Sequence, residues 1–296
     1  MKLACITFHD LSEDATILFA SESNFDILGY HPQDILGQSC FAYIHPGEVF
    51  YARTIYNRGL WFKSASDLYR VRIRTRGDKY ITCECWFTVV NDILAVCSRI
   101  YSRGGKSQLR AVRATQISHI FSGYSKDPQY HISKLPSWTV HIHSIVDNPR
   151  AALILDRFTR SLTILSATNK AGQILESQLE HLKDKSFYNY IHDESLAHAE
   201  ECLEKVKCDD SIVYFEFLLR NPHEKYNVGD PDENIDQEEM QVPQGFQAAD
   251  STTLRNRGNK QPIYPLEVEV MVFSTSDGLL VVLQRKPAAR VSPLRN

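Results

Sequence analysis

Cysteine and histidine are the residues of this chain with most chemistry to offer, and their spacing limits what they can do. Cys83 and Cys85 lie two apart in a run that reads as a strand, so their thiols share a face, and Cys97 on the following strand brings the soft ligands to three at most. Zinc takes four ligands, commonly Cys or His at short characteristic spacings, and no C-x-x-C occurs. Core thiols are therefore the preferred reading. His141 and His143 also share a face, with no acidic or thiol partner nearby. His45 and His192 invite haem ligation or proton transfer, but a histidine makes a site only where partners converge on it. Arg70, Arg72 and Arg74 alternate along one strand and could meet phosphate, although such a stripe is more often a solvated face. No G-x-x-x-x-G-K-[ST], G-x-S-x-G or H-E-x-x-H is present, so no enzymatic activity is expected.

The bulk numbers narrow the class. The chain has 296 residues, 43% of them hydrophobic and 23% charged, as in ordinary globular proteins. At about 150 residues per domain, two domains are expected. A net charge of -3 supplies no pull toward nucleic acid, so direct DNA or RNA binding is not expected. The seven cysteines are odd in number and scattered, which fits a reducing compartment. The short apolar run at the start is ended by His9 and Asp10, too soon for a secretory segment. No stretch reaches the roughly 18 apolar residues of a membrane span. Nucleus or cytoplasm is the expected location.

The elements that must position these residues occur twice. Residues 36–48 read L-G-Q-S-C-F-A-Y-I-H-P-G-E and residues 182–194 read L-K-D-K-S-F-Y-N-Y-I-H-D-E. Setting Phe41 on Phe187 implies one extra residue in the second copy before Ile-His. The spacing is that of a whole domain, so a fold has been duplicated. Thr16–Ala20 reads as a strand. Ser23 or Asn24 can cap a short helix carrying Phe25, Ile27 and Leu28, which Gly29 stops, and Pro32 opens another. Tyr69, Val71 and Ile73 alternate with the three arginines in a half-buried strand, Gly77-Asp78 turns, and strands follow over Tyr80–Val90 and Ile93–Ile100. In the second copy Val213, Phe215, Phe217 and Leu219 share a face, as do Leu266, Val268, Val270 and Val272, and Asp277-Gly278 signals a hairpin.

Two regions break the pattern. Residues 101–150 read as a linker with an amphipathic middle (Val112, Ile117, Ile120, Phe121). Residues 222–261, rich in acidic, amide and proline residues, read as a disordered insertion, and 287–296 as a basic tail.

Ile27-Leu28-Gly29-Tyr30, Ile35-Leu36-Gly37-Gln38-Ser39 and Tyr43-Ile44-His45-Pro46, followed by the strand pair Tyr69–Thr75 and Tyr80–Phe87, resemble the PAS domain. Residues 1–100 carry the fuller likeness. Residues 151–286 lack the Gly-Tyr, have Asp193 in place of the proline, and hold the insertion. As a pair they resemble fungal regulators of the white collar type. The resemblance implies an α+β chain of two folds, each a five-stranded antiparallel sheet with short helices on one face and the other face polar. It also implies a structural role for His45 and His192 at helix junctions.

Light-sensing members of that family use G-x-N-C-R-F-x-Q, whose cysteine attacks a flavin. Here residues 37–44 are G-Q-S-C-F-A-Y-I, so Cys40 is in register while Ser39, Phe41 and Ile44 replace the flavin-binding groups, and a structural thiol is the preferred reading. If a ligand cavity exists, Phe25, Cys40, Ile44, Tyr69, Val71 and Cys97 are its expected walls. The resemblance implies a signalling or transcription-regulator component that pairs with a PAS-containing protein or a second copy of itself, with no cofactor assigned. Its alternative is a sensor of a small molecule, redox state or light, holding a ligand such as haem or flavin. Any DNA contact would come from a partner or another region.

Overall fold

In the computed structural model, residues 3–61, 67–121, 149–209, 212–221 and 266–286 are described; His141, His143, the expected insertion and the basic tail lie outside them. The chain forms two five-stranded antiparallel sheets with short helices. The first contains β1 (Ala4–His9), β2 (Ile17–Ala20), β3 (Asp67–Arg74), β4 (Tyr80–Val90) and β5 (Ile93–Ile100), in the order β2-β1-β5-β4-β3. Between β2 and β3 run α1 (Ser23–Leu28), α2 (Pro32–Ile35), a 3-10 turn at Cys40–Tyr43 and α3 (Val49–Trp61). After α4 (Gly105–Phe121) the second unit repeats the order. It has β6 (Arg150–Leu155), β7 (Ile164–Ala167), α5 (Ala171–Leu175), α6 (Leu179–Leu182), a 3-10 turn at Phe187–Tyr190 and α7 (Asp193–Asp209). The strands β8 (Ile212–Leu218), β9 (Glu267–Ser274) and β10 (Leu279–Arg285) complete the sheet β7-β6-β10-β9-β8.

Local chemistry accounts for the turns. Asp78 and Asn91 take positive φ at the β3–β4 and β4–β5 hairpins, a conformation these residues tolerate better than most. Gly29 ends α1 at φ +81, where a side chain would be strained. The start of α1 departs from expectation. Neither Ser23 nor Asn24 is its N-cap; Ser23 is its first residue, and its backbone N–H and hydroxyl both donate to Asp277 in the β9–β10 turn, at 3.1 and 2.7 Å. The helix is thus capped from the other unit.

The structure also corrects the register of the repeat. Isolated bridges join Thr16 to Ser39 and Ile44 to Ile73 in the first unit, and Thr163 to Ser186 and Ile191 to Leu219 in the second. One shift carries Thr16, Ser39, Ile44 and His45 onto Thr163, Ser186, Ile191 and His192, so nothing is inserted within the motif. Cys40, not Phe41, corresponds to Phe187.

The expectation of a polar outer face fails. The outer faces of the two sheets pack on each other. Ile6, Trp86, Ala95 and Cys97 meet Ala152, Ile154, Met271, Phe273, Leu280 and Val282, and Trp86 stacks on Phe273. Part of the supposed linker belongs to this core, since α4 inserts Ala114, Ile117 and Phe121 while Val112 and Ile120 stay exposed. Charged groups at the seam have partners: Arg110 holds the buried Glu84 through Nη2 at 2.7 Å, while its Nε is buried without a hydrogen bond, and Arg99 donates to the Ser274 carbonyl at 3.1 Å. Arg150 reaches the Val89 carbonyl at 3.2 Å and the Gln284 side chain at 3.1 Å.

Candidate functional site

The inner face of the first sheet and the helices over it enclose a cavity of about 150 Å³. Its floor comes from alternate residues of four strands: Cys5, Thr7 and His9 on β1, Leu94, Val96 and Ser98 on β5, Cys85 and Phe87 on β4, and Tyr69, Val71 and Ile73 on β3. Leu28, Ile35, Cys40, Phe41, Ile44 and Tyr56 contribute from the helical side. Of the expected walls, Cys40, Ile44, Tyr69 and Val71 line it and Phe25 and Cys97 do not. Phe25 is 45% exposed and stacks on His31, because α1 turns Ile27 and Leu28 inward instead. Cys97 sits opposite Trp86 on the outer face, between the inward Val96 and Ser98. Apolar character marks the inward face only where the other face meets water, and here both faces of the sheet are covered. The same alternation separates Cys97 from Cys83 and Cys85, so the three thiols do not converge.

Why the space exists is seen by superposing the repeats. Ile44 bridges Ile73 as Ile191 bridges Leu219, which sets Val71 against Phe217. Cys40 and Val71 therefore stand where Phe187 and Phe217 meet edge to face, fully buried, with centroids 5.9 Å apart. On β1 and β5, pairs Thr7–Val96, Cys5–Ser98 and His9–Leu94 match Leu153–Val281, Ala151–Leu283 and Leu155–Leu279. The first unit has small or polar groups at Cys40, Val71, Thr7, His9 and Ser98 where the second has Phe, Phe and three leucines. Sequence reading missed Thr7, His9 and Ser98, although the alternation of Cys5, Thr7 and His9 was there to be seen.

No Asp, Glu, Lys or Arg is among the described lining residues. His9 is buried, with Nδ1 3.1 Å from the Ala15 carbonyl and Nε2 2.7 Å from the Thr7 hydroxyl. Burial lowers its pKa from 6.5 to about 4, against the pull of that carbonyl. Burial also pushes the Cys40 thiol up to about 12 and Cys85 up to about 11, so neither is a thiolate at neutral pH. The hydroxyl of Tyr56 donates to the Ser12 carbonyl at 2.6 Å, tying α3 to the β1–β2 turn.

The other singled-out residues have structural partners. Ser39 donates its hydroxyl to the Asp14 carbonyl at 2.7 Å, and Phe41 packs in the core beneath Arg53. His45 accepts the Gly47 N–H at 3.1 Å and meets Tyr80 edge to face; His192 accepts the Glu194 N–H at 3.3 Å. Of the arginine stripe, Arg72 pairs with Glu48 at 2.7 Å, Arg70 lies over the Tyr101 ring, and Arg74 reaches Asp78 at 3.9 Å. Among the described residues no three His, Cys, Asp or Glu cluster as metal ligands, and no helix is long and apolar enough to cross a membrane.

Residues 17–102 match the family model described as PAS fold. No curated protein matches the chain. Among solved structures, the PAS domain of the Cronobacter turicensis quorum-sensing receptor RpfR, in complex with BDSF, is 17% identical; the match covers 34% of this chain and 97% of that one, with a TM-score of 0.31. The PAS-B domain of Drosophila melanogaster Cycle, solved with ethylene glycol and, as a variant, with glycerol, is 18% identical over 33% of this chain and 99% of that one, with a TM-score of 0.30.

Proposed function

We propose that this chain is a PAS-type signalling component whose first unit senses a small, largely apolar molecule, while its second unit is a filled, structural counterpart. One observation carries the reading: the positions that Phe187 and Phe217 plug in the second unit are held by Cys40 and Val71 in the first, and a cavity lies between them. Its volume is that of apolar cavities that take a single benzene-sized ring, and none of its described lining residues is a cation for a flavin phosphate or haem carboxylates. The small-molecule form of the sensor hypothesis is therefore favoured over the cofactor forms, and the chain is proposed to act by binding without catalysing a reaction.

On the output side, the chain pairs with a PAS-containing protein or a second copy of itself, as in regulators similar to the white collar type; the motif around Ile44 and His45 supports this pairing. Such a partner would meet a surface other than the outer sheet faces, which cover each other.

The test is thermal unfolding of the full chain with toluene, indole and phenol, beside the Cys40→Phe variant. At least one probe should raise the Tm of the parent chain and leave the variant unmoved. Equal shifts in both proteins, or none in either, would count against a ligand site here.

A further inference from the structure

The hydrogen-bond directions on the cavity floor select the chemistry of what enters it. The Ala15 carbonyl can only accept, so Nδ1 of His9 carries the ring proton. A neutral imidazole then has a bare Nε2, and the partner 2.7 Å away, the Thr7 hydroxyl, donates to it. The low pKa of the buried His9 agrees with a neutral ring. Thr7 has one hydroxyl proton, so what it turns to the cavity is lone pair. Ser98, on the neighbouring strand, points its hydroxyl proton to Cys85 Sγ at 3.3 Å and is left in the same condition. Tyr56 donates to the Ser12 carbonyl, Asn24 gives an amide proton to the Tyr30 carbonyl at 2.9 Å, and the Tyr69 hydroxyl accepts from Arg58 at 3.0 Å. Tyr56, Asn24 and Tyr69, like the half-buried Tyr30 and Tyr43, line the cavity outside the part of the floor, on β1 and β5, that holds Thr7, His9 and Ser98. The thiols are weak donors only. Among the described lining residues a bound carboxylate would find no cation to pair it and a bound ammonium no carboxylate, and burying either charge unpaired is strongly unfavourable.

We infer that the molecule taken by this cavity is neutral, no larger than one aromatic ring or a short branched chain, and donates a hydrogen bond to the hydroxyl of Thr7 or of the neighbouring Ser98: a phenol, an alcohol or a primary amide. This deepens the sensory reading above and rests on it.

Three probes of similar size separate the possibilities in calorimetric titrations of the full chain. Phenol donates, toluene cannot, and benzoate is charged. Phenol should bind about ten-fold more tightly than toluene, the worth of a buried hydrogen bond, and benzoate should not bind. Thr7→Val should bring phenol down to toluene, and Thr7→Ser should restore the difference; Ser98→Ala serves if Thr7→Val does not fold. Toluene binding as tightly as phenol, with both lost in Cys40→Phe, would overturn the donor requirement while leaving the cavity reading intact. Probe binding that ignores Cys40→Phe would overturn both.

Discussion

Cys40 and Phe187 hold the same place in the two units. Each opens a 3-10 turn after a serine whose hydroxyl donates at 2.7 Å to a carbonyl twenty-five residues earlier, Ser39 to Asp14 and Ser186 to Ser161. One side chain leaves space above Val71, and the other closes it against Phe217. Exchange should therefore act in opposite senses. Phe187→Ala should lose about 3–5 kcal/mol in urea unfolding, as a large buried ring does. Cys40→Phe should lie within about 1 kcal/mol of the parent chain or above it, since the added ring has a void to enter.

Capping of α1 by Asp277 makes one unit's helix depend on the other unit's turn. Asp277→Ala removes the acceptor of two hydrogen bonds and should cost about 1–2 kcal/mol, with Ser23→Ala costing less because the backbone bond survives. Hydrogen exchange should show the added opening at the start of α1 as well as in the β9–β10 turn.

Glu84 and Arg110 are paired at the seam with side chains 1% and 6% exposed, and the Ser107 hydroxyl supports Glu84 at 3.2 Å. Arg110→Met should be the damaging change, about 3–5 kcal/mol, because it strands a buried carboxylate. The double variant with Glu84→Leu should recover much of that loss, which a double-mutant cycle measures.

His9 gives a pH signature. Its folded pKa is depressed, from 6.5 to about 4 by burial. Between those values the unfolded imidazole takes up a proton that the folded one does not, so stability falls as pH is lowered through the window and is fully present above it. The contribution is on the order of 3 kcal/mol at most. In the difference between parent chain and His9→Gln, the slope from pH 6.5 to 4 should be present in the parent only.

Thiol reactivity should follow position. Cys208 is exposed, whereas Cys5, Cys83 and Cys97 are buried and burial raises all three pKa values, Cys97 to about 12. Titration with a chromogenic disulfide at pH 8 should label Cys208 first and the buried thiols only at the rate of unfolding. Fast labelling of Cys97 would mean that the two sheets part readily.

Much of this protein is legible in its residues taken in order. Alternation of Tyr69, Val71 and Ile73 with the arginines, the turns at Asp78 and Asn91, and the paired Ile-His motifs determine the strands, the hairpins and the duplication, because these depend on neighbours two to four residues apart. Four of the cavity's lining residues, Cys40, Ile44, Tyr69 and Val71, follow from that alternation and from the family motif. What only the tertiary structure decided is which faces are covered. Cys97, Trp86 and Phe273 are apolar on the side that in a lone sheet would meet water, and the fold buries them by laying one sheet on the other. Residues far apart in the chain make that seam, Ser23 with Asp277 and Glu84 with Arg110, and local pattern says nothing about such pairs. The cavity itself is a difference in volume between two superposed cores. It comes into view only when Cys40 and Phe187 are set on one another by the strands that hold them.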